Sequence, residues 1–165
     1  MAAGEGSGRA APVIVAVAAP EVLRLGLIAE LDAELNLRYP GEPTNGVATE
    51  GFEEEGGCFL LAEADGEPAG CGAFRPADAG TVEIKRIYVR ARHRGRGIAS
   101  HLLEALEAEA VRRGYRRAIL ETGLRQPEAI ALYRRHGYRP IPCFGIYVGN
   151  PSSVCFAKTL GSAAG

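Results

Sequence analysis

The densest run of chemistry-bearing residues is Arg90-Ala-Arg-His-Arg-Gly-Arg-Gly-Ile-Ala99. Lys85, Arg86, Arg90, Arg92, Arg94 and Arg96 are basic, and no Asp or Glu occurs from Ile84 to Leu103. A chain of net charge -1 therefore concentrates positive charge in one place. Gly95 and Gly97 allow a tight turn and close approach of backbone to a ligand. If a helix starts there, its first N–H groups are unpaired and carry partial positive charge. The chemistry this suits is capture of a phosphate by main-chain amides, with arginine forks adding charge-assisted hydrogen bonds. A Walker A loop would need a Lys-Ser/Thr pair, which is absent, and a dinucleotide fingerprint would need a third glycine where Ser100 stands. What remains is R-x-x-G-x-G, from Arg92 to Gly97.

The elements around this turn must hold it at a strand-to-helix junction. Thr81 to Val89 reads as a strand whose two-residue period slips: Val82 and Ile84 are apolar at even positions, Ile87 and Val89 at odd ones. A one-residue slip turns every later side chain to the wrong face, and a β-bulge near Lys85-Arg86 absorbs it. Downstream, Ile98, Leu102, Leu103, Leu106 and Ala110 share one helical face, with Arg112 and Arg113 at the negative end and Gly114 at C′.

The remaining elements follow in order. Residues 13 to 17 (VIVAV) form a short strand, and Leu23, Leu27, Leu31 and Leu35 predict a helix after Pro20. Tyr39 to Gly57 reads as loop. Cys58 to Ala64 and Glu67 to Phe74 form a hairpin about Asp65-Gly66, with Gly70 and Gly72 weakening the return strand. Arg116 to Glu121 is a strand. A helix runs from Pro127 toward Gly137, and Tyr138 to Ile141 and Val154 to Leu160 are the last strands. This order predicts an α/β mixed sheet with helices packed on it.

The chain resembles the GNAT N-acetyltransferase superfamily, whose Q/R-x-x-G-x-G/A signature lies between the fourth strand and third helix; here it is Arg92, Gly95 and Gly97, extended by Ile98 and Ala99. A second match is Gln126-Pro-Glu-Ala-Ile-Ala-Leu-Tyr133-Arg-Arg-His-Gly-Tyr138, which is similar to the family's N-x-x-A-x-x-L-Y-x-x-x-G-F/Y helix, with Gln126 replacing Asn. Phe144-Gly-x-Tyr147 through Lys158 resembles a bacterial subgroup acting on small amines or amino-acid-type acceptors. The resemblance spans about residues 13 to 160. It implies a central, mostly antiparallel sheet of about six to seven strands with a bulged, splayed fourth strand and helices on both faces. It also implies acetyl-coenzyme A as co-substrate, bound by Ile87, Tyr88, Val89, Arg92, Arg94, Gly95, Arg96, Gly97, Ile98, Ala99, Gln126 and Tyr133, and a homodimer as a plausible state.

By the same resemblance Tyr133 is the acid that serves the leaving thiolate, Glu83 sits where several members carry the general base, and the Val89 N–H polarises the thioester carbonyl. Packing is the structural alternative for Tyr133. For Glu83, pairing with Lys85, Arg86 or another cation stands equally beside the base role. Acceptor specificity is expected near Arg38 and Tyr39, with Arg38 as a partner for an acceptor carboxylate. Two other readings compete: acetylation of protein or peptide amines, and a non-catalytic sensor that binds coenzyme A.

Composition limits the rest. The 165 residues are 47% hydrophobic and 24% charged, which suits one soluble domain. No apolar run reaches the ~18 residues of a membrane span. The balanced charge, with no aromatics among the arginines, argues against nucleic acid. Residues 1–12 are expected to be a disordered tail, 13–160 the domain, and 161–165 a flexible end. Cys58, Cys71, Cys143 and Cys155 lack metal-like spacing, so no metal is expected; all four are expected to be buried reduced thiols, which places the protein in the cytoplasm. His93 and His101 are expected at the surface, and His136 at a helix C-terminus.

Overall fold

The computed structural model describes residues 10–43 and 51–161, so the expectations for residues 1–9, for part of the 39–57 loop and for 162–165 lie outside the described residues. In chain order the elements are β1 (Val13–Val17), α1 (Ala19–Arg24), α2 (Leu27–Arg38), β2 (Cys58–Ala64), β3 (Glu67–Pro76), β4 (Thr81–Val89), α3 (Ile98–Arg112), β5 (Arg117–Gly123), α4 (Pro127–Arg135), β6 (Arg139–Ile141) and β7 (Ser153–Thr159). The strands form one sheet in the order β1-β2-β3-β4-β5-β7-β6. Every neighbouring pair is antiparallel except β4 and β5.

Each face of the sheet buries its own core. Leu102, Leu103 and Leu106 of α3 and Leu132 and Tyr133 of α4 pack with Leu60, Phe74, Val82, Ile84 and Phe156. On the other face Ala19 and Val22 of α1 and Leu27, Ile28 and Leu31 of α2 cover Phe59, Leu61, Ala73 and Tyr88. The leucine stripe expected as one helix is two helices. Gly26 adopts φ 78° between them, a left-handed conformation that ends the first helix and starts the second, and Leu23 is left exposed.

β4 carries the irregularity its sequence announces. Cys71 pairs with Tyr88 and Ala73 with Lys85, so Gly72 alone faces Arg86 and Ile87. Arg86 sits at φ 59°, unusual for a residue with a side chain. The bulge lets Val82, Ile84, Ile87 and Val89 all serve the α3 face although their parity changes. Gly72 is closely packed: a Cβ there would lie 3.0 Å from Leu106 Cδ1 and 3.2 Å from Ile87 Cγ1, and those side chains would have to give way. Parallel pairing of β4 with β5 runs only from Thr81↔Arg117 to Ile84↔Leu120. Beyond that the strands part, so the second half of β4 bonds to β3 alone.

Candidate active site

Two cavities lie along this split. One, of about 430 Å³, is walled by Tyr88 and Val89 of β4, by Gly95 and Gly97 through Ser100, and by Ala129 and Leu132 of α4. The other, of about 180 Å³, is polar and is lined by Glu83, Lys85 and Arg86 of β4, Glu121 of β5, and Tyr147 and Ser153. Leu31, Leu35, Ile87, Gln126 and Tyr133 line both, so the cavities meet there.

The first cavity presents main-chain donors of a kind that suit an anion. Gly95 and Gly97 adopt φ 78° and 77°, which turns the chain sharply into α3. The first backbone hydrogen bond of that helix runs from His101 N–H to Gly97 O at 3.1 Å. The N–H groups of Ile98, Ala99 and Ser100 precede it without a helical acceptor, and all three residues wall the cavity.

The arginines divide their work. Of the arginines at 90, 92, 94 and 96, Arg94 lines the cavity; its guanidinium bonds both Glu34 oxygens at 2.9 Å and Val89 O at 2.8 Å. Arg92 and Arg96 turn instead to the β2–β3 hairpin, pairing with Glu67 at 2.9 Å and Asp65 at 2.6 Å. His93, expected at the surface, is 3% exposed beneath them. Arg96 donates to its Nδ1 at 3.2 Å, leaving Nε2–H to donate to Glu67 at 2.6 Å. Arg92 first, then His93, hold the Glu67 carboxyl below its ordinary range. Arg92 and Arg96 thus bind the turn to the hairpin and lie outside the cavity lining. His101 is exposed, and His136 ends α4 and contacts Ser100 Oγ at 3.0 Å.

Tyr133 stands at the junction of the cavities, 8% exposed, its ring against Tyr138 and Phe156. Burial, and then the charge of Glu121, push its phenol well above the ordinary value, so it holds its proton. Glu83 is 5% exposed, and both its oxygens are occupied: Oε1 accepts from Arg75 and Oε2 from Lys85, each at 3.2 Å. Lys85 also reaches Tyr147 Oη at 3.1 Å, and Arg86 pairs with Asp32 at 2.8 Å.

Tyr39 lines the polar cavity, where its hydroxyl accepts from Arg125 N–H at 2.9 Å and lies 3.4 Å from Gln126 Oε1. Arg38 does not line that cavity. It borders the larger one, bonded to Arg125 O and paired with Glu128 and Glu34.

The thiols divide too. Cys143 and Cys155 form a disulfide with Cα atoms 5.1 Å apart, which corrects the expectation of four reduced cysteines. Ile141↔Cys155 pairing of β6 with β7 brings residue 143 back beside its partner, and sequence spacing alone does not reveal this. Two of the four thiols behind the cytoplasmic expectation are thereby removed. Cys58 and Cys71 are free and buried, and burial pushes the Cys71 thiol up to about 12.

Against known proteins, the model of the Acetyltransferase (GNAT) family matches residues 28–138. The chain belongs to that family. It is an acetyl-coenzyme A-dependent N-acetyltransferase. The IAA acetyltransferase of Azospirillum brasilense is 37% identical over 135 residues, 81% of this acetyltransferase and 88% of that protein. A solved structure described as a candidate acyl-CoA N-acyltransferase from Klebsiella pneumoniae is 35% identical with TM-score 0.76, covering 91% of this chain and 98% of that one. A Salmonella typhimurium acetyltransferase candidate, solved with acetyl-CoA, shares the fold at TM-score 0.69 and 20% identity over 94% and 98% of the two chains. No described helix of the acetyltransferase is long and apolar enough to cross a membrane.

Sequence reasoning missed Glu121, Tyr147 and the serines at 152 and 153. Glu121 carried a signal: it is the one charge inside the otherwise apolar run AILETG, next to the split strand. The 145–153 segment has no periodicity to read, and only the closure of β6 on β7 brings it to the cavity.

Proposed function

We propose that the enzyme transfers the acetyl group of acetyl-coenzyme A directly to the amine of a small, amino-acid-like acceptor. The observation that carries this is the meeting of the cavities at Tyr133. An acyl thioester laid along the open half of β4, its diphosphate at the amides of Ile98 to Ser100, brings its sulfur toward that tyrosine. The acceptor reaches the thioester from the polar cavity.

Size and charge support the acceptor class. About 180 Å³ suits a small molecule, not a peptide segment. The cavity carries carboxylates, Glu83 and Glu121, that suit an ammonium, and cations, Lys85 and Arg86, that suit an acid group. Direct attack needs no enzyme nucleophile, and no free thiol lines either cavity among the described residues. A sensor would need no acid at the junction, so the placement of Tyr133 favours turnover.

The test is release of free coenzyme A from acetyl-coenzyme A with a panel of amino acids, small amines, lysine-containing peptides and IAA. Turnover confined to small amines supports the proposal. Turnover of peptides alone would replace it with the protein-directed reading, and tight cofactor binding without thiol release across the panel would replace it with the sensor.

A further inference from the structure

We infer that Glu121 is the carboxylate that takes the proton from the attacking amine, and that Glu83 shapes the cavity without accepting that proton. This rests on the transfer reaction proposed above and assigns a base to it.

Position comes first. Leu120 is the last residue of β5 paired with β4, and Glu121 is the next one. It stands in the mouth of the split, on the wall of the polar cavity. Its influence on the Tyr133 phenol puts it within electrostatic reach of the junction.

Availability comes second. Glu121 has a single hydrogen bond, Oε1 accepting from Ser153 Oγ at 3.0 Å, and no ion-pair partner among the described residues. Glu83, by contrast, is held by a guanidinium and an ammonium. A base must release its oxygens to the incoming N–H, and Glu121 gives up less to do so.

Charge comes third. The groups facing Glu121 are Lys85 and Glu83 from β4, Ser153 from β7, Tyr133 from α4 and Tyr39 from the segment after α2. Burial pushes its carboxyl above the ordinary range; the Ser153 bond and Lys85 oppose this and Glu83 adds to it. A carboxyl so shifted lies closer to the proton affinity of an amine.

The step balances. The amine nitrogen forms the C–N bond to the acetyl carbon and its proton passes to Glu121. The C–S bond breaks and its electron pair stays on sulfur. Tyr133 gives its proton to that sulfur and is refilled from Glu121. Once Glu121 is neutral, the charge that helped hold the Tyr133 proton is gone, so the phenol becomes a better donor as the thiolate leaves. Amine and acetyl thioester become amide and thiol, and both side chains return to their starting state.

The experiment measures kcat against pH, with both substrates saturating, for wild type, Glu121→Gln and Glu83→Gln. Wild type should show an acid limb, set by one ionisation above the usual carboxylate range. Glu121→Gln should lose that limb, lower kcat by about 10²-fold or more, and keep the coenzyme A Kd. Glu83→Gln should keep the limb. The thermal midpoint of Glu121→Gln should not fall at pH 8. A carboxyl whose folded pKa is raised stabilises the fold least above that pKa, so removing its charge there relieves a cost. Should the E121Q protein not fold, Glu121→Asp should show the limb displaced in pH and kcat reduced. An acid limb that persists in Glu121→Gln, or is unmoved in Glu121→Asp, or vanishes only in Glu83→Gln, overturns the assignment while leaving the transfer reaction standing. A wild type that acetylates no amine overturns both.

Discussion

Replacing Tyr133 by Phe removes one oxygen and leaves the rest of the site in place. The ring keeps its contacts with Tyr138 at 5.8 Å and Phe156 at 6.3 Å between centroids. Among the described residues the hydroxyl has no hydrogen-bond partner, so the fold loses no bond. The stability change should stay within about 1 kcal/mol, or 2–4 °C in thermal midpoint for a chain of this size. The effect on chemistry is larger. General acids contribute roughly 10²–10⁴-fold. Burial raises the Tyr133 phenol, so proton transfer to sulfur is uphill, though less so once Glu121 is neutralised, which places the loss toward the lower end. We expect kcat to fall about 10²-fold, about 2.7 kcal/mol in barrier, with the coenzyme A Kd within twofold of wild type. The assay is thiol release under saturating substrates, with a pre-steady-state burst measurement to establish that chemistry limits turnover. An unchanged kcat under chemistry-limited conditions would remove Tyr133 from the acid role. A drop of 10 °C in midpoint would show that the hydroxyl itself holds the fold, since the ring contacts are kept.

Three further outcomes follow from the geometry. A Cβ on Gly123 would lie 1.7 Å from Tyr39 Oη, so Gly123→Ala should expel that hydroxyl from Arg125 N–H; acceptor KM should rise with little change in the cofactor Kd, and an unchanged KM would detach Tyr39 from the acceptor cavity. Lys158 neutralises Glu107, 9% exposed between α3 and β7, at 2.8 and 2.9 Å. Lys158→Met leaves that carboxylate with only the Tyr138 hydroxyl, which donates to it at 3.1 Å, and should cost about 3 kcal/mol, or roughly 6–12 °C, in calorimetry; a shift under 2 °C would show that Tyr138 alone satisfies it. The Cys143–Cys155 disulfide closes the loop that carries Tyr147, Asn150 and Ser152 to the acceptor cavity. Cys143→Ser should lose up to about 3 kcal/mol of stability and raise acceptor KM, and dithiothreitol should lower the wild-type midpoint without lowering that of the variant.

What the sequence disclosed was local. The parity change between Ile84 and Ile87 required a bulge, and the structure places it at Arg86 opposite Gly72. Gly95 and Gly97 required a sharp turn, and both have positive φ. Features set by distant pairing were not legible. His93 is buried because Glu67, 26 residues earlier, returns beside it through the β2–β3 hairpin. Arg92 and Arg96 read as phosphate ligands because nothing nearby in the chain showed that Asp65 and Glu67 would claim them. Nor did the order of the last strands, β5-β7-β6, announce itself, and that order closes the disulfide and aims the 145–153 segment at Glu121.

The bulge explains why the chain keeps an unfavourable backbone. A non-glycine residue at φ 59° costs on the order of 1–2 kcal/mol, and glycine at position 86 would relieve it. Glycine would also remove the guanidinium that pairs with Asp32 of α2 and borders the acceptor cavity. The strained arginine thus ties the helix that walls both cavities to the strand that separates from β5. If β4 ran straight it would continue pairing with β5 beyond Leu120, and the edge against which an acyl thioester can lie would be closed. Strain at Arg86, close packing at Gly72 and early loss of pairing after Ile84 are one arrangement. It converts an ordinary parallel strand pair into an opening, and Tyr133 and Glu121 both line the polar cavity there.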